Sequence, residues 1–118
     1  MSRPAEFNII ADRNVTMDYD IVHTESDGSA FDLTGYTPTA DAVGAILPSG
    51  RLELSPTVTD AANGVINITL SKAATGALVS TEGLKPSEMP KWDLLIDTGG
   101  VTTKVAYGIL TIVDTQTT

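Results

Sequence analysis

From Val15 to Val22 the chain alternates apolar and polar residues without a break: Val15, Met17, Tyr19 and Ile21 on one phase, Thr16, Asp18 and Asp20 on the other. Successive side chains of a strand point to opposite faces, so this segment has one greasy and one wet side only as a β-strand. The same period recurs. Ile66, Ile68 and Leu70 share a phase in 65–70, and Trp92, Leu94 and Ile96 share one in 91–97. Arg51–Leu54 alternates briefly, and 101–114 forms a long last strand. An apolar run within 6–12 predicts a first strand, and small residues near Ala40 and Ala42 place a third strand over roughly 37–47, where two sheets approach closely.

Turn chemistry separates these segments. Asp27-Gly28, Pro48-Ser49-Gly50, Asn63-Gly64 and Gly99-Gly100 each supply the fixed or positive φ that a reversal needs. Pro56 belongs at a sheet edge or a strand end, because it has no amide hydrogen for a ladder. Gly108 marks a bulge or a close backbone approach. Ser71 followed by Ala73, Ala74 and Ala77 predicts one or two helical turns crossing between sheets. About seven or eight short strands with one helical turn give an all-β, immunoglobulin-like antiparallel β-sandwich. The sandwich spans 7–114, with a flexible arm over 1–6 and a polar tail over 115–118.

With 118 residues the chain is one domain. Fifteen acidic residues against seven basic ones give a net charge of −8, which nucleic-acid phosphate and anionic membrane both repel. The basic residues are scattered rather than striped, so neither nucleic acid nor membrane is expected as a partner. Cysteine is absent, which removes disulfides, thiolate chemistry and Cys-ligated zinc. The start of the chain has no apolar signal-peptide run, so folding in a cytoplasm is the expectation.

The chemistry-bearing residues do not converge. His23, the single histidine, ends a strand without an adjacent nucleophile and is expected at the surface rather than as a base. Asp18 and Asp20 lie on one strand face about 7 Å apart, a spacing common on any solvated sheet and short of a calcium ligand set. Trp92 is expected in the core, in phase with Leu94 and Ile96. Leu84 and Met89 fall in a Pro-containing loop, either tucked under it or offered to a partner.

In order, the words Asp32-Leu33-Thr34-Gly35-Tyr36, Val58-Thr59-Asp60, Asn63-Gly64-Val65-Ile66, Ser71 to Leu78, Trp92-Asp93-Leu94 and Gly108-Ile109-Leu110-Thr111-Ile112-Val113 make the chain resemble the immunoglobulin-like β-sandwich domain of tailed-phage virion proteins, as at the N-terminus of the baseplate upper protein. The resemblance covers roughly 7–114. It implies a docking and assembly module without catalytic residues, cofactor or metal. With no long C-terminal helix to present, the expectation is a stand-alone adaptor, a small tail or baseplate component, or a head-decoration protein.

The expected function is therefore a non-enzymatic structural protein of a tailed-bacteriophage virion, a homo-oligomer bound to other virion proteins. Phe7, Leu84 and Met89 are the residues assigned to a partner. The alternative is a carbohydrate-binding module attaching to a host surface, which needs an exposed aromatic platform. A hydrolase would need a partner for His23.

Overall fold

The period-two segments become the strands of two facing sheets. The computed structural model describes residues 5–114. In chain order these form β1 (Ala5–Glu6), β2 (Ile9–Asp12), β3 (Met17–Val22), β4 (Thr37–Val43), β5 (Arg51–Glu53), β6 (Pro56–Asp60), β7 (Val65–Leu70), α1 (Lys72–Gly76), β8 (Lys91–Thr98) and β9 (Val101–Val113). One sheet has the order β1-β9-β8-β4-β5, with β2 also on β9; the other is β3-β7-β6. This is the immunoglobulin connectivity: β3, β7 and β6 stand where strands B, E and D stand, and β9, β8 and β4 where G, F and C stand. The chain is an all-β sandwich.

The core lies where the inward phases meet. Met17 and Ile21 from β3, with Ile66, Ile68 and Leu70 from β7, oppose Ala40 and Ala42 from β4 and Trp92, Leu94 and Ile96 from β8; all are buried. Val15 departs from the expected inward phase: it is 41% exposed, because Asn14 turns at φ 65 and the strand begins only at Met17.

The first strand differs from expectation in two ways. It splits into β1 and β2, and both halves pair with β9 in parallel. The interruption at Phe7-Asn8 is bridged rather than open: Phe7 N donates to Tyr107 O at 2.8 Å, and Asn8 Oδ1 accepts from Ile109 N at 3.0 Å. Ala5 and Glu6, placed in the arm by sequence, thus belong to the sheet. Residues 1–4 of that arm and the tail over 115–118 lie outside the described residues.

Gly108 marks a close approach. A Cβ there would stand 2.1 Å from Phe7 O. The bulge of β9 lies nearby at Val105, the extra residue between the pairs Leu94–Ala106 and Leu95–Lys104. It leaves both Val105 and Ala106 buried and breaks the alternation. Pro56 opens the edge strand β6, as its missing amide hydrogen requires. Gly64, at φ 72, closes the β6–β7 hairpin, with its ideal Cβ position 2.3 Å from His23 O. Ser71 Oγ caps α1 by accepting from Ala74 N at 3.1 Å. α1 leads from the three-stranded sheet toward β8 of the other, and Thr75 Oγ1 ties it to Val15 O at 2.8 Å.

Candidate functional site

The acidic and imidazole groups that would carry chemistry are committed to the fold. Asp18 and Asp20 face Thr69 and Asn67 across the β3–β7 ladder. Asn67 Nδ2 donates to Asp18 Oδ1 at 2.5 Å and to Asp20 Oδ1 at 2.9 Å, so one amide links the two carboxylates. Asp27 Oδ1 accepts from the Ser29 amide and hydroxyl, and Asp32 Oδ1 from those of Thr34. The hydroxyl bonds, seconded by the amides, hold both carboxyls below the usual carboxylate range. Among the described residues no group of three or more His, Cys, Asp or Glu side chains is placed to hold a metal ion.

The structure corrects the surface placement of His23. It is 4% exposed, with its ring 4.5 Å from that of Phe31, and its amide donates to Gly64 O at 2.8 Å. Burial pushes its pKa below the ordinary 6.5, opposed by the charge of Glu25. The signal was present in the sequence: His23 continues the phase of Met17, Tyr19 and Ile21, which is the buried phase. The β3–β4 loop supplies the cover, since Phe31 N bonds back to His23 O at 3.3 Å.

Trp92 is buried, as its phase requires, at 2% exposure. Its Nε1 donates to Phe7 O at 2.8 Å. Phe7 is half-buried and meets Tyr19 and Trp92 edge-on, with centroids 5.6 and 6.3 Å apart. It is not among the residues that line the two hollows beside Leu84 and Met89.

Leu84 and Met89, by contrast, come together. The 79–90 loop that carries them is anchored where β9 outruns β8. There Thr81 stands in for a strand neighbour: its amide donates to Ile112 O at 2.8 Å, and its hydroxyl accepts from Ile112 N at 3.0 Å. Pro90 O accepts from Leu110 N at 2.9 Å. Glu88 Oε1 folds back to accept from Lys85 N at 2.9 Å across the Pro86–Glu88 turn. A fixed loop therefore presents two half-buried apolar side chains.

On one side of them lies a groove of about 730 Å³, shared with Val43, Ala45, Ile46 and Lys91. On the other lies a shallower hollow of about 340 Å³, shared with Asn8, Pro86, Ile109 and Thr111. Gly44 closes the groove against Pro90; a Cβ there would sit 2.9 Å from Pro90 Cα. Beside the groove the outer face of the larger sheet carries ion pairs, Arg51 with Asp41 at 2.5 Å and Lys104 with Asp93 at 3.8 Å. Lys104 Nζ also stands 6.0 Å from the Tyr107 ring centroid. The groove is lined mainly by apolar side chains, with Ser87, Glu88 and Lys91 as its polar part.

Neither a family model nor a curated protein sequence matches the chain. Among the described residues no helix is long and apolar enough to cross a membrane.

Proposed function

We propose that this chain is a non-enzymatic structural module of a tailed-bacteriophage virion, an adaptor of the tail or baseplate or a decoration protein of the head. The observation that carries the reading is where the words of the resemblance fall on the sandwich. Asp32 to Tyr36 forms the corner into β4, with Leu33 buried and its amide on Ala61 O at 2.8 Å. Asn63-Gly64 closes the β6–β7 hairpin, Trp92-Asp93-Leu94 lies on β8, and Gly108 to Val113 is the half of β9 against which β2 packs. These words fall on the corner before β4, on the β6–β7 hairpin and on the paired strands β8 and β9. The commitment of His23, Asp18 and Asp20 to structural contacts favours assembly over catalysis. The burial of Trp92 withdraws the ring that a carbohydrate-binding reading would have used.

On this reading the partners are other virion proteins and further copies of the chain, and the protein resides in the particle. Mass spectrometry and cryo-electron microscopy of gradient-purified particles from the encoding phage test it. Stoichiometric, symmetry-related copies are expected; particles that lack the chain would overturn it.

A further inference from the structure

We propose that Asn63-Gly64 is a latent modification site, a succinimide-forming pair that the closed β6–β7 hairpin holds unreactive and that alters the chain irreversibly once the hairpin opens. The inference is independent of the virion reading.

The chemistry is intrinsic to the dipeptide. The backbone nitrogen of Gly64 gives its proton to hydroxide and attacks Cγ of Asn63. A carbon–nitrogen bond closes a cyclic imide, and Nδ2 leaves as ammonia. Water then opens the imide at either carbonyl and leaves aspartate or isoaspartate. Glycine in the following position favours the ring, because it brings no side chain to obstruct it and turns freely. By sequence alone an Asn-Gly pair at a hairpin tip is an open invitation. Asn63 is exposed, but Gly64 is buried.

The fold restrains the nucleophile. Gly64 N donates to Ala61 O at 3.2 Å, and Gly64 O accepts from His23 N at 2.8 Å, so the polar groups on both sides of its Cα are tied. Backbone carbonyls wall the Cα itself: an ideal Cβ there would stand 2.3 Å from His23 O and 2.8 Å from Phe31 O. The nitrogen cannot swing toward Cγ without breaking hydrogen bonds and pressing on neighbouring backbone. The electrophile is restrained as well, since Asn63 Nδ2 donates to Asp60 Oδ2 at 2.8 Å. A carboxylate accepting from the amide nitrogen makes the amide carbon less electrophilic, and its charge repels hydroxide. Ala61 O also accepts from the amide of buried Leu33 at 2.8 Å, which ties the tip to the corner before β4. Reaction therefore runs through the opened hairpin, at a rate set by the population of that state.

The isoaspartate product does not fit the closed form. It routes the main chain through the former side chain and lengthens it by a methylene just before Gly64. Gly64, at φ 72, then loses its place between the carbonyls of His23 and Phe31, and β7 with core residues Ile66 and Ile68 follows directly.

The full chain, native and in guanidinium chloride at mildly alkaline pH, tests this by peptide mass spectrometry over time. Modification of Asn63 is expected to be at least about 30-fold slower in the native chain, the scale of a local opening. Asp60→Ala, at an exposed position, is expected to speed the native reaction by about threefold to tenfold and to leave the rate in denaturant unchanged. After incubation in denaturant and return to buffer, the wild type is expected to lose its melting transition in proportion to isoaspartate formed, while Asn63→Gln keeps its own. Melting before incubation checks that both variants fold, and the wild-type comparison needs neither. A native rate within about threefold of the rate in denaturant, an Asp60→Ala chain that reacts no faster than the wild type, or an Asn63→Gln chain that loses refolding as fast as the wild type would each overturn the inference.

Discussion

The Tyr19 hydroxyl closes the outer edge of β2, accepting from Ile10 N at 3.3 Å and donating to Ile10 O at 2.8 Å. One side chain from the three-stranded sheet thereby ends hydrogen bonding at the rim of the other sheet. The same ring packs edge-on against Phe7 at 5.6 Å, so the seam between the sheets is stitched by a polar and an apolar contact of one residue. Tyr19→Phe keeps the ring and removes the oxygen. It is expected to lower stability by about 1–2 kcal/mol, seen as a lower denaturant midpoint at constant slope. It also bares an edge, so light scattering is expected to rise on prolonged incubation. An unchanged midpoint would show that water replaces the hydroxyl without cost.

Gly108 and Gly28 differ in what a methyl group meets. At Gly108 a Cβ falls 2.1 Å from Phe7 O, while at Gly28 nothing lies within 4 Å. Gly108→Ala must push the first strand off β9 and is expected to cost about 3 kcal/mol or more. Gly28→Ala meets only the strain of φ 89, expected at about 1 kcal/mol. Thermal melts of the two variants side by side check the ordering; equal losses would mean that φ, rather than space, dominates at both.

Trp92 contributes through its indole nitrogen as well as its bulk. Trp92→Phe strips the hydrogen bond to Phe7 O and leaves a void where the larger ring stood. The expected cost is about 2–4 kcal/mol, read from urea unfolding followed by circular dichroism. Since this is the sole tryptophan, the wild-type fluorescence is expected to be blue-shifted when folded and to move to the red on unfolding. An emission maximum already at the value for water would contradict the burial.

His23 makes stability fall on acidification. Its folded pKa lies below the ordinary 6.5 because burial penalises the cation. The unfolded chain therefore binds the proton first, and stability is lost as pH drops below about 6.5 toward the folded value. Asp27 and Asp32 act in a lower window. Their folded values lie below 3.8, so their contribution is complete above that pH and is lost beneath it. Denaturant midpoints measured from pH 8 to pH 3 are expected to show two separate declines. His23→Gln should abolish only the upper one; its persistence would assign it to another group.

How far local pattern reaches is clear from particular residues. The phases of β3, β7 and β8 give the burial of Met17, Ile68, Trp92 and Leu94 directly, because alternation and burial are the same fact on a half-covered sheet. Asn63-Gly64 and Pro56 give a hairpin and an edge through backbone geometry alone. Properly continued, the phase of β3 also gives the burial of His23; the polar character of the residue masked it. The juxtaposition of Leu84 with Met89 on an anchored loop was half legible, since two apolar residues among prolines marked the place while the groove beside them depends on Val43 and Ile46 from another strand.

What the amino-acid sequence determined by itself is whatever depends on neighbours along the chain: strand period, turn positions, the Ser71 cap and the all-β class. The tertiary structure alone decided that β1 and β2 run parallel to β9, that Thr81 serves as a strand partner for Ile112, and that Tyr19 seals Ile10. These contacts join segments separated by up to about a hundred residues. Local periodicity says which side of a strand is greasy, but it carries no information about which distant strand will cover it. That choice is made by the packing of the whole core.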